Sequence, residues 1–457
     1  MGGVEERRVE VVVVPYPTQG HINPLLQFAK HLAHRQLKVT LLLIPSSNSH
    51  DSSTHLPLTV HHVSLLPYHG TKPEAVEAFW ERRHASISHH LTQLLARHQD
   101  QSDPIACVVY DSIMPWILDI TKQFGVLGAS FFTQSSAVNA IYYNVNKGSL
   151  NVPLQQTTVS VDHGLPVLHP SDLPSFVSDG VKYPAILNFL SDQFTRLNDA
   201  DWIFANTFDT LEQQEGEWMG RQLPFKNIGP MVPSIYLDGR LPNDRDYGLS
   251  LFESNTDSTM KWLDSKRKKS IIYVSFGSSA ELGKEQMEEI AWCLKLSNRF
   301  FLWVVRESEI HKLPPSFTDE TSEKGLVVKW CPQLEVLAHE SVGCFVTHCG
   351  WNSTLEALSL GVPLVAMAQW SDQPTNAKYV EDVWKVGKRV RVGEDGICRR
   401  EQIEECVSEV MEGNESEEIK ENMRKWRELA RAAMDDGGSS NTNINHFVQQ
   451  LLRNNTQ

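Results

Sequence analysis

The chain has 457 residues and a mass of 51.7 kDa, too long for one compact core and long enough for two or three domains. Its 41% hydrophobic and 21% charged residues, with 26 Gly and 23 Pro spread along the length, exclude a collagenous or largely disordered protein. A net charge of −14 repels polyanions, so nucleic-acid binding through bulk charge is excluded and an anionic membrane surface is not expected as a partner.

From the N-terminus to about residue 240 the sequence repeats an apolar β-branched run, a Gly- or Pro-marked turn and an amphipathic helix, the grammar of βα units around a parallel sheet. A strand is expected over 9–14 and a break over 15–20. A helix is expected from Pro24, with Asn23 as its N-cap. Further strands are expected over 38–44 and 105–110. The polar stretch 237–248 has the composition of a surface linker. Beyond it the grammar resumes, with strands over 271–275, 301–305, 343–347 and 362–366. Ile444, Phe447, Val448, Leu451 and Leu452 recur at helical spacing near the end. The expected organisation is an α/β chain with two Rossmann-like, doubly wound parallel sheets: domains over 1–240 and 255–436, a linker over 241–254, and a last helix over 437–457 that can dock back on the first domain.

Seven cysteines, an odd number without framework spacing, point to free thiols and a cytoplasmic location. The longest apolar runs are strand-sized, so no membrane span is expected. The histidines show no paired spacing with Cys or carboxylates that would suit a tetrahedral site, and no metal is expected.

The most informative stretch is 343–368, GCFVTHCGWNSTLEALSLGVPLVAMA. A strand ending at Thr347, a loop through His348 and Gly350, and a helix opened by Ser353 and Glu356 would aim backbone N–H groups and a positive dipole end at one spot, an anion site suited to phosphate. Taken locally, Ser353 and Glu356 could equally form a capping box and nothing more.

The 44 residues from Trp330 to Gln373 resemble, without a gap, the signature box of plant secondary-product glycosyltransferases, the UDP-sugar-dependent family 1 enzymes of the GT-B fold. The resemblance extends through VPYPTQGHINPLLQFAK near the start, YDSIMPW at 110–116, FFTQS at 131–135, NTFDTLE at 206–212 and VSFGS at 274–278. It implies that Trp330 stacks on uracil with Gln333 beside the nucleoside, and that Glu356 accepts the ribose hydroxyls. It further implies that Ser278, His348, Asn352 and Ser353 hold the diphosphate. Asp372 and Gln373 would read the sugar, with Trp351, Thr133 and Trp370 nearby; Cys331 and Gly350 complete the donor set. The pairing of Gln373 with Trp351 resembles the glucose-using pattern.

A lone loop histidine is ordinarily solvated or capping, but the GHINP context makes His21 the candidate catalytic base, at the carboxyl edge of a parallel sheet. Asp111, after the strand over 105–110, would fix its tautomer and stabilise the imidazolium. The implied activity is inverting transfer of glucose from UDP-glucose, without a cofactor, to a hydroxyl or carboxyl of a small lipophilic metabolite such as a triterpenoid or phenolic. Gln19, Gly20, Trp80, Met114, Phe132 and Phe176 are the candidate acceptor-side residues, and a monomer is expected. A UDP-sugar epimerase or hydrolase on the same fold, or a non-catalytic sugar-nucleotide sensor, are the competing readings.

Overall fold

The computed structural model describes residues 9–44, 50–51, 57–67, 76–99, 104–155, 158, 165–250 and 256–454. The valine run at the start forms β1 (Glu10–Val14), every residue of it buried. It is followed by β2 (Lys38–Leu43), β3 (His50–Asp51), β4 (Thr59–His62), β5 (Ile105–Asp111), β6 (Leu127–Phe132), β7 (Trp202–Ala205) and β8 (Phe225–Asn227). Apart from β3, these make one seven-stranded sheet in the order β4-β2-β1-β5-β6-β7-β8, parallel throughout. The chain therefore winds outward one way from β1 and then the other way from β5. The switch point lies between these two strands, where the connecting loops part and leave a crevice.

A second parallel sheet repeats the plan. It contains β10 (Ile271–Ser275), β11 (Phe300–Val304), β12 (Gly325–Val328), β13 (Val342–Thr347), β14 (Leu364–Ala366) and β15 (Gly387–Arg389), in the order β12-β11-β10-β13-β14-β15. Its switch point lies between β10 and β13. The short β9 (Leu249–Ser250) pairs antiparallel with β3.

One hydrophobic core runs from the first sheet to the second. It joins Val11, Phe28 and Phe204 to Trp351, Phe345 and Phe447, whereas the outer face of each sheet has a core of its own. Hydrogen bonds cross the same boundary: the indole N–H of Trp351 donates to Asn206 O at 2.7 Å and that of Trp384 to Leu211 O at 3.0 Å. The last helix, Ser439–Asn454, packs Phe447 edge-on against Trp202 and Phe204 of the first sheet.

Residues 241–250 depart from the solvated linker that their composition suggests; 251–254 lie outside the described residues. Leu241, Asp244 and Tyr247 are buried. The Asp244 carboxylate accepts Lys30 Nζ at 2.8 Å, Gln27 Nε2 at 2.6 Å and the Ser234 backbone N–H at 2.7 Å. A buried carboxylate with this many donors is stable inside, and it draws a polar segment down onto the first domain as a strap.

Candidate active site

His21 lies in the first turn of the helix Gln19–His34, not in a loop before it, because Thr18 is the N-cap and Pro24 sits inside the helix. The expected start at Pro24 with Asn23 as cap is thus displaced, and the proline has a consequence. Its missing N–H would have served the carbonyl four residues back, that of Gly20. The Gly20 carbonyl instead accepts Asn352 Nδ2 at 2.7 Å, across the cleft from the second domain.

Asp111 is the last residue of β5 and is fully buried, so the switch point of the first sheet carries a His–Asp pair. His21 Nδ1 stands 2.6 Å from Asp111 Oδ2 and 3.2 Å from Thr133 Oγ1. The short contact to a carboxylate places the ring proton on Nδ1 and leaves the lone pair on Nε2. Burial disfavours the imidazolium, yet the charge and hydrogen bond of Asp111, reinforced by Asp372, outweigh it and hold the His21 pKa above its ordinary value.

On the second domain the loops after β10 and β13 face each other at the second switch point. The helix Trp351–Leu360 is capped by Gly350, so its free N–H groups lie beside His348. Glycine is required on both sides of that imidazole. A Cβ on Gly277, whose φ is +73°, would approach the ring to 2.8 Å, and one on Gly350 would come within 2.5 Å of Nε2. Burial lowers the His348 pKa to about 4, so it stands there as a neutral donor or acceptor. Ser278 lies in the turn after β10, which Arg306 pins by donating to Ser278 O at 2.8 Å and to Ala280 O.

Glu356 does not form the capping box. Its oxygens accept Gln333 Nε2 at 2.6 Å and Tyr247 Oη at 2.9 Å, and Gln333 also donates to Ser353 Oγ at 3.0 Å. Burial pushes the Glu356 pKa up to about 7 against these two donors. Tyr273 completes the chain by donating to Gln333 Oε1 at 3.1 Å. Trp330, Cys331 and Gln333 line the same end of the cleft, although the Cys331 thiol is buried 3.4 Å from the Tyr273 hydroxyl.

The sugar-side candidates are placed differently from one another. Asp372 lines the cleft, is held by Asn376 Nδ2 at 2.7 Å, and has its pKa raised by burial. Gln373 spends its carbonyl oxygen on the backbone N–H groups of Gln369 and Trp370, at 2.9 and 3.0 Å, which leaves its amide N–H₂ to face a ligand. Trp351 borders the cleft, with its indole N–H committed to the domain interface. Trp370 lies edge-on to Phe176, and Thr133 stands beside His21.

His21 and Thr133 and the donor-side candidates border one cleft of about 1570 Å³, with Asp111 buried behind His21; the volume is above the ~300–1,000 Å³ that a single small ligand needs and sufficient for two. Its first-domain end includes Gln19, Gly20, Trp80, Met114 and Phe176 of the acceptor-side candidates. Phe132 is a correction. Alternation along β6 turns it to the outer core, where it packs on Phe194 and Phe225 at 5.3 and 5.1 Å, away from the cleft. Sequence reasoning passed over Tyr16, Arg83, Tyr247 and Tyr273, all of which line the cleft; only the position of Tyr16 and Tyr273 near the ends of expected strands could have pointed to them. Among the described residues there is no group of three or more His, Cys, Asp or Glu able to hold a metal, and no helix long and apolar enough to cross a membrane.

Comparison with known proteins agrees with this geometry. The family model for UDP-glucoronosyl and UDP-glucosyl transferases matches residues 251–431, and that for the glycosyltransferase N-terminal domain matches 7–48. UDP-glycosyltransferase 74E1 of Arabidopsis thaliana is 48% identical over 450 residues, covering 96% of this chain and 98% of its own. Mogroside I-E synthase of Siraitia grosvenorii is 46% identical over 454 residues, covering 98% and 99%. The crystal structure of Os79 from O. sativa in complex with UDP superposes with a TM-score of 0.89 at 37% identity, covering 96% of this chain and 100% of that one. Two doubly wound domains facing across a shared cleft are the GT-B architecture of nucleotide-sugar-dependent transferases. Within that class the chain belongs to the plant family 1 UDP-glycosyltransferases.

Proposed function

We propose that the protein transfers glucose from UDP-glucose to an oxygen of a lipophilic small molecule with inversion at the anomeric carbon. The observation that carries this reading is the His21–Asp111 pair at one switch point, facing the glycine-lined imidazole and helix N-terminus at the other. UDP would lie on the second domain, with uracil against Trp330, the ribose diol on Glu356, and the diphosphate among Ser278, His348, Asn352 and Ser353. Asp372 and the Gln373 amide would hold the sugar. His21 Nε2 takes the proton of the acceptor hydroxyl as its oxygen bonds to the anomeric carbon. The bond from that carbon to the β-phosphate oxygen breaks on the opposite face, and UDP leaves with the electron pair. An α-linked donor therefore gives a β-glucoside.

Charge developing on UDP meets the helix N-terminus, where each charge gains about 0.3–1 kcal/mol, and directed N–H and O–H donors add to this. These neutral donors serve the role that a divalent ion would otherwise fill, so no cofactor is required. The cleft's capacity for two ligands favours transfer over hydrolysis or epimerisation, which need one. Incubation with UDP-glucose and an aglycone panel, read by mass spectrometry, tests the proposal: an acceptor-dependent gain of one hexose supports it. Free glucose or an epimerised donor would replace it with the hydrolase or epimerase reading, and tight UDP binding with no turnover with the sensor reading.

A further inference from the structure

Next to the His21–Asp111 pair, the first-domain end of the cleft displays polar atoms with no well-formed hydrogen bond among the described residues. Its wall is largely apolar, built from Trp80, Ile87, Met114, Phe176, Phe189 and Leu190. Set into that wall are Tyr16, Arg83, Trp116 and Gln134, and each carries a buried polar atom without a well-formed hydrogen bond among the described residues: Tyr16 Oη, Arg83 Nε, Trp116 Nε1 and Gln134 Oε1, although the Tyr16 hydroxyl and the Arg83 guanidinium lie within reach of each other. Three of these four can donate a hydrogen bond. Buried orphan donors are rare in folded proteins, and several in one cavity mark a place where a ligand atom or ordered water completes the set.

Arg83 is the most telling of them. It projects from the helix Val76–His98, stands over the Phe79 and Trp80 rings at 4.6 and 5.6 Å, and is half-buried. The charged or polar groups that act on it are the Tyr16 phenol and the Arg82 guanidinium, and no carboxylate among the described residues pairs with it. A guanidinium stays protonated at any physiological pH, so this is a half-buried cation with two ring faces and a phenol against it and, among the described residues, no neutralising charge. Glu81, two residues back along the same helix, also borders the cleft but is not among the groups that act on Arg83.

Tyr16 sets the spacing. Its ring lies edge-on to the His21 imidazole with centroids 5.4 Å apart and stacks on Trp80 at 5.3 Å, while its hydroxyl points toward Arg83. The Tyr16 phenol therefore lies between the His21 imidazole and the Arg83 guanidinium.

We propose that Arg83, with the Tyr16 hydroxyl that meets it and the Trp116 indole N–H on the same cleft wall, forms an oxyanion subsite that selects acceptors carrying a carboxylate about one aromatic ring away from the hydroxyl that reacts. The carboxylate is an anchor here and not the nucleophile: it places the far hydroxyl at His21 Nε2. This rests on the transferase reading of the cleft, since it assigns the remote end of the acceptor.

The test measures binding without turnover. 4-Hydroxybenzoic acid, whose phenol and carboxylate are separated by one ring, is compared with its methyl ester by calorimetry in the presence of UDP. The wild-type protein is expected to bind the acid at least about tenfold more tightly, the scale of a charge-assisted hydrogen bond. Arg83→Gln is expected to bring the ratio close to one and Arg83→Lys to keep part of it, with UDP affinity as the check that the variants are folded. Equal binding of acid and ester by the wild-type protein overturns the proposal by itself, whether or not a variant folds. A ratio that survives Arg83→Gln also overturns it, because the carboxylate is then recognised by another group. A protein that binds the acid through Arg83 but transfers no hexose would contradict the transferase reading and leave the subsite standing.

Discussion

Replacing Asp111 with Asn removes one charge from the catalytic pair at almost no steric cost, because the two side chains have the same shape. In the wild-type protein the Asp111 carboxylate is fully buried and 2.6 Å from His21 Nδ1, so the imidazolium that forms during transfer meets a charge with little solvent screening. A hydrogen bond between charged groups contributes about 1.5–3 kcal/mol, and each ~1.36 kcal/mol is tenfold in rate, so loss of the charge alone lowers kcat by roughly 10–150-fold. The amide adds a second penalty, since it can donate to Nδ1 and hold the ring in the tautomer with its proton on Nε2. In a hydrolase triad the same exchange lowers kcat by about 10⁴, which bounds the combined effect.

The pH profile separates this from simple misfolding. On the proposed mechanism the wild-type protein works with neutral His21, which is lost as pH falls through a pKa held above the ordinary ~6.5. Without the Asp111 charge that pKa drops, so the acid limb of kcat/KM for a phenol acceptor moves to lower pH while the plateau falls. An acceptor reacting through an already ionised carboxylate needs no proton removed and is expected to lose less. A variant within about threefold of wild type on the phenol, with its acid limb unmoved, would refute the role assigned to the pair.

Glu356 must be ionised to accept a ribose diol, and its pKa near 7 means that UDP affinity, measured by calorimetry, is expected to weaken as pH falls below about 7. Tyr247→Phe removes one of the two donors that stabilise the ionised form, so the same loss is expected at higher pH; an unmoved profile would remove Tyr247 from the donor site. Gly350→Ala drives a methyl group into the His348 ring, and UDP affinity is expected to fall at least about tenfold alongside a stability loss of about 1–3 kcal/mol; retained affinity in the folded variant would show that the imidazole does not face the diphosphate. Activity is expected to survive EDTA, and a loss that only divalent ions restore would contradict a diphosphate held by protein donors alone.

Much of the arrangement was legible because it rests on local patterns. The valine-rich run of β1 and the strand ending at Asp111 put His21 and Asp111 on one sheet edge, and the strand-to-helix turn after Thr347 marked an anion site. What stayed hidden depends on partners distant in the chain. The strap at 241–250 reads as solvated until Lys30 and Gln27 supply donors for Asp244. Phe132 looks like a cleft residue because it adjoins Thr133, but a single step along a strand reverses the face. Pro24 reads as a helix start, while its effect, a carbonyl released to Asn352, involves a residue more than three hundred positions away. Arg83 resembles any charge on an amphipathic helix until the cavity beside it is seen.

The central claim is a single displacement at the anomeric carbon, driven by proton removal at His21 and departure of UDP from the opposite face. Proton NMR of the first-formed product, recorded as wild-type protein turns over UDP-glucose and a phenol acceptor, reads that event directly. One β-glucoside formed for each UDP released is the predicted result; an α-glucoside, or UDP released without a glucoside, would contradict the account.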